Sequence, residues 1–137
     1  MTNEEKELLL KDISARLPYG IKCQVQEDEY TYIGTLCRLE VDNKNGNLLD
    51  FVESISGLDC QVYLSEAKPY LFPLESMTEE QKEEYCVLQQ KVIYNSKGPV
   101  NLDVMEYINW CYKNHIDINN LIPMGLANDA TNLGIYE

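Results

Sequence analysis

The sequence predicts an α+β protein: an N-terminal helix, then a small antiparallel SH3-like barrel or bent sheet, then a C-terminal two-helix lobe. Three observations carry this. Apolar residues recur at helical spacing up to Pro18, the period then falls to two through residue 64, and helical periodicity returns behind Pro69 and Pro73. At 137 residues the chain fits one domain, divided into a helix over 1–18, a barrel over 20–67, a connector over 68–77 and a helical lobe over 78–137.

Thr2 with Glu5 three residues on is a capping box, and Leu9, Leu10, Ile13 and Leu17 form the apolar stripe of the first helix. Glu7 with Lys11 and Asp12 with Arg16 are i,i+4 pairs expected on its polar side, and Pro18 ends it. Ile21, Cys23 and Val25 then alternate with polar residues as a half-buried strand. A solvated turn at Glu27 to Glu29 follows. Ile33, Thr35, Cys37, Leu39 and Val41 are the expected inward set of a long second strand, with Gly34 placed to bend or bulge it. Asn45-Gly46 signals a hairpin, leading to strands over 48–55 and 60–64. Cys23, Cys37 and Val62 are thus expected inside the barrel.

Pro69 and Pro73 argue for an extended connector that is not a central strand. Ser76 with Glu79, or Thr78 with Gln81, caps a helix over 78–94 striped by Tyr85, Leu88 and Val92. After Gly98-Pro99, Asn101 caps a third helix, Val100 and Met105 form a hydrophobic staple, and Leu102, Met105, Ile108 and Tyr112 face inward, with Val104 and Cys111 beside them. Lys113 and His115 suit its negative end. An apolar patch from Leu121 to Leu126 and a polar tail close the chain.

The segments KPYLFPLESMTEEQKEEY at 68–85 and INWCYKNHIDINNLIPMGLANDAT at 108–131 resemble small proteins carried by phages, prophages and mobile elements of gut bacteria. Trp110, His115, Asp117, Leu121 and Ile122 keep the group's pattern, whereas Asn114 and Asn119 stand where it has a histidine and a basic residue. The resemblance implies a genomic setting, and with it interference with a host defence system, but no particular chemistry.

A net charge of −12 argues against direct binding to nucleic acid or an anionic membrane and favours a host protein with a basic surface. No apolar run is long enough to span a bilayer and the start lacks a signal peptide's basic region, so a cytoplasmic setting in the bacterial host is expected. Five scattered cysteines without a C-x-x-C pair suit reduced, mostly buried thiols and neither a disulfide framework nor a zinc site. Nucleotide-binding and metal signatures are missing, so no cofactor or metal is expected. Cys111, His115 and Asp117 are the only residues from which a hydrolase could be drawn, and the expectation is against it.

Two binding surfaces are expected instead. The acidic residues Glu27, Asp28, Glu29, Glu79, Glu80, Glu83 and Glu84 suit a basic partner, or a nucleic-acid mimic aimed at a basic groove. Lys22, Tyr32, Arg38, Tyr63 and Lys68 offer cations and stacking rings to a small anionic nucleotide, the alternative role being a sponge for such a signal.

Overall fold

The computed structural model describes residues 1–42, 46–94 and 102–137. Helix α1 (Asn3–Arg16) begins where expected, with the Glu5 backbone N–H donating to Thr2 Oγ1. Strands β1 (Lys22–Glu27), β2 (Tyr30–Asp42), β3 (Gly46–Glu53) and β4 (Asp59–Tyr63) run as an antiparallel meander, and β5 (Ala67–Leu71) returns through one 3₁₀ turn to pair with β1. Helices α2 (Glu79–Tyr94) and α3 (Leu102–Lys113) follow, and β6 (Asn128–Asp129) adds a short parallel rung to β5. The sheet order is β4-β3-β2-β1-β5-β6.

The class is α+β, and the sheet is bent but not closed into a barrel. In a flat sheet β4 and β5 would stand four strand spacings apart, about 19 Å. Only the turn Leu64–Glu66 joins Tyr63 to Ala67, a reach of at most about 14 Å, so the sheet must curl. Among the described residues no ladder pairs β4 with β5, and β4 stands at the edge of the sheet. The concave face holds the core: Ile21, Cys23, Val25, Leu36, Leu49, Phe51, Val62 and Leu71 pack with Leu9 and Ile13 of α1 and with Leu121 and Leu126 from the C-terminal segment.

Several expectations change. The β-bulge lies between Leu36 and Arg38, not at Gly34, so Cys37 is the extra residue and the register of β2 inverts before it. Tyr32, Gly34 and Leu36 face the core with Val25 and Phe51, while Cys37 is exposed. Gly34 serves packing: a Cβ there would lie 2.9 Å from the Phe51 Cβ. Residues 67–71, expected mainly as connector, form β5, where buried Pro69 sits opposite Cys23 in a ladder only three residues long and so removes little hydrogen bonding. Asp12 and Arg16 are fully buried rather than on a polar face, because residues 112–119 cover that side of α1. Met105 is exposed, not inward, and so is Cys86.

Nor is the C-terminal segment a polar tail. Phe72 and Ile116 form a parallel bridge, the Ala130 N–H donates to the Leu71 carbonyl, and Tyr136 packs on the core. The segment after α3 therefore packs back onto the sheet and its core. The expected Asn45 turn, the Gly98-Pro99 break, the Asn101 cap, the Val100–Met105 staple and the inward placing of Leu102 lie outside the described residues.

Candidate functional site

Helix α2 starts on a reciprocal capping box, the Gln81 N–H donating to Thr78 Oγ1 and the Thr78 N–H to Gln81 Oε1. Its seam with α3 is aromatic and polar. Tyr85 and Tyr107 share a hydroxyl hydrogen bond of 2.9 Å, Gln89 donates to Tyr85, and Tyr85 packs in tilted fashion on both Tyr107 and Trp110. Burial pushes the Tyr107 phenol up, and its bond to Tyr85 adds to this. This seam positions Trp110, whose indole N–H donates to Glu84 Oε2 at 2.9 Å.

Beside the seam runs a groove of about 460 Å³. Glu83, Glu84, Val87, Leu88 and Lys91 of α2 line one wall, and Glu106 and Trp110 of α3 line the other. The floor is apolar, with Val87 52% exposed. The rim carries three carboxylates and one ammonium, and Lys91 Nζ stands 3.9 Å from Glu106 Oε1. An apolar floor inside a net negative rim can hold an amphipathic, cationic surface. Among the acidic residues expected to meet a partner, Glu83 and Glu84 lie here. Glu79 and Glu80 occupy the first turn of α2, Glu79 pairing with Lys82, and Glu27, Asp28 and Glu29 form the exposed β1–β2 turn.

The expected nucleotide-binding set is not brought together. Lys22, Arg38, Tyr63 and Lys68 lie on the convex face, where side chains diverge, whereas Tyr32 is on the concave face and its hydroxyl donates to Cys60 Sγ. Lys22 Nζ is held by the Ile135 carbonyl at 3.0 Å, and Arg38 stands 4.0 Å from Asp50.

Nor do Cys111, His115 and Asp117 form a catalytic row. Both Asp117 oxygens accept backbone N–H groups, from Leu121 and Ile122. The His115 ring stacks on Tyr136 at 3.8 Å, and burial, aided by the charges of Arg16 and Lys22, holds its pKa down to about 4. Burial pushes the Cys111 thiol up to about 11, which keeps it protonated and unreactive. Among the described residues no cluster of His, Cys, Asp and Glu suits a metal ion, and no helix is long and apolar enough to cross a membrane.

Sequence reasoning missed Val87, Lys91 and Glu106. The signal for Val87 was available, since it adds an apolar residue outside the Tyr85, Leu88, Val92 stripe. Pairing of Lys91 with Glu106 depends on two helices meeting, which no local pattern encodes. No protein-family model, curated protein or solved structure gives a significant match to the chain.

Proposed function

We propose that this chain is a non-catalytic binding protein that occludes a basic surface of another protein through the α2–α3 groove. The observation that carries this is the combination of an apolar floor at Val87, Leu88 and Trp110 with the carboxylates of Glu83, Glu84 and Glu106. The net charge of −12 adds long-range attraction for a cationic partner and repels anionic ones. The resemblance to mobile-element proteins of gut bacteria supports a specific form, in which the partner is a host protein of a defence system.

The test has two stages. Partners are captured from bacterial lysate on the immobilised chain and on a Glu83→Lys, Glu84→Lys variant, and association of any captured protein is then followed across salt concentrations. Capture should be lost in the variant, and the on-rate should fall steeply with salt while dissociation changes little. Equal capture by both chains, or an on-rate indifferent to salt, sinks the proposal.

A further inference from the structure

We infer that the occupant of the α2–α3 groove is a single amphipathic helix with a basic rim, seated as the third member of a helix bundle. This rests on the proposed binding role and specifies the partner's shape and chemistry.

The walls argue for a helix. Glu84, Val87, Leu88 and Lys91 recur at i, i+3, i+4 and i+7 along α2, and Glu106 and Trp110 at i and i+4 along α3, so the groove is the furrow between two packed helices. Such a furrow receives the side-chain ridge of another helix. The stretch from Glu84 to Lys91 is about 10 Å long, two helical turns, which matches anchors spaced i, i+4 and i+7 on the occupant. An extended segment would fit poorly, because its backbone N–H and C=O groups would lie over the apolar floor, where helical walls offer no strand edge to pair with.

Charge selects the occupant's rim. Glu83, Glu84 and Glu106 outnumber Lys91, which already leans on Glu106. Lysines or arginines flanking the apolar anchors would meet those carboxylates at the margin of a partly desolvated groove. A second copy of this chain is the wrong occupant, because it carries the same −12 charge, and its α1 already spends its apolar residues Leu9 and Ile13 on the core.

The chain's single tryptophan, Trp110, lies in the groove and reports on it directly. The probe is a synthetic 18-residue Leu/Lys peptide with leucines at helical period. Its comparators are a peptide of the same composition with strict Leu–Lys alternation and a helical-period Leu/Glu peptide. The helical Leu/Lys peptide should bind with a shift of Trp110 emission to shorter wavelength, and Val87→Asp should weaken it tenfold or more. An Ile55→Asp variant, which makes the same kind of change at an exposed residue between β3 and β4, should stay within twofold of the native chain. Equal binding of the alternating peptide, binding of the Leu/Glu peptide, or a loss below threefold in Val87→Asp overturns the inference. If the alternating peptide binds equally and Glu83→Lys, Glu84→Lys weakens both, the basic-partner role stands and only the helical occupant falls. If neither Lys peptide binds, both fall.

Discussion

The sheet with α1 and the α2–α3 hairpin use their apolar residues differently. On the concave face of the sheet, Ile21, Val25, Leu49, Phe51 and Leu71 are fully buried, as is Ile13 of α1. Among the described side chains of the hairpin, only Leu88 and Cys111 are buried, while Val87, Ile93 and Met105 are 52%, 70% and 55% exposed. Apolar area removed from water is worth roughly 25 cal/mol per Å². The sheet and α1 have used that free energy for folding. The hairpin leaves Val87, Ile93 and Met105 half in water or more, and the groove lined by Val87 lies on this helix pair.

The comparison is broken most severely by cutting the charge pair inside the sheet-and-α1 half. Arg16 donates twice to Asp12, at 2.6 and 3.1 Å, and once to the Ile116 carbonyl at 2.7 Å, with its guanidinium over the Tyr112 ring. Asn119 donates to the same carboxylate at 2.8 Å. Asp12→Ala strands a buried cation and should cost about 3–5 kcal/mol in urea unfolding. Replacing both, as Asp12→Leu with Arg16→Met, should recover most of the loss. A single variant within about 1 kcal/mol of the native chain would show that the pair does not tie α1 to the C-terminal segment.

A smaller effect is expected at Gly34. The added methyl of Gly34→Ala must displace the Phe51 side chain or separate β2 from β3, at about 1–3 kcal/mol, read from the same unfolding curves. An unchanged midpoint would mean that the curl of the sheet absorbs a methyl at this position.

These two sites also mark what could be read from the sequence. The Thr2 cap of α1, the Thr78 cap as one of two offered for α2, the alternation of β1 and the inward placing of Leu9 and Ile13 were legible because each depends on residues within one turn or one strand. The register of β2 was not. Residues 32–41 contain apolar side chains in both alternations, and the bulge at Cys37 changes which set faces inward partway along the strand. Burial of Asp12 and Arg16 was hidden for another reason: the atoms that satisfy them belong to Tyr112, Ile116 and Asn119, about 100 residues away in the chain. Of the groove, Glu83 and Glu84 were legible as charge, whereas Trp110 stood out only within the resemblance to mobile-element proteins. Their meeting required the antiparallel pairing of α2 and α3.

Acid should loosen the C-terminal segment through His115. The unfolded imidazole takes up a proton near its ordinary pKa of 6.5, whereas the folded one resists until about 4. Between those values the unfolded chain binds more protons, so this contribution to stability falls as pH drops from about 6.5 to about 4 and is absent below. Asparagine tolerates the positive φ of 58° at this position, so His115→Asn is the suitable control. Unfolding free energies between pH 7 and 4 should decline less steeply in the variant. Parallel slopes would place the acid sensitivity elsewhere.

The smallest expected effect sharpens the comparison most, because the same substitution can be made in both halves. Val25 on β1 has no exposed surface and sits in the core cluster, so Val25→Ala removes two buried methyl-sized groups and leaves a cavity, at roughly 2 kcal/mol. Val87 makes the identical change on a helix with half its surface in water. Its stability should move by less than about 0.5 kcal/mol, with the better helix propensity of alanine offsetting part of the lost contact. Binding should reverse this order, with Val87→Ala weakening the helical Leu/Lys peptide and Val25→Ala leaving it unchanged wherever the chain is still folded. Urea titrations and Trp110 emission on the two variants give all four numbers. If Val87→Ala destabilises as much as Val25→Ala, the groove belongs to the core and the division of labour between the two halves fails.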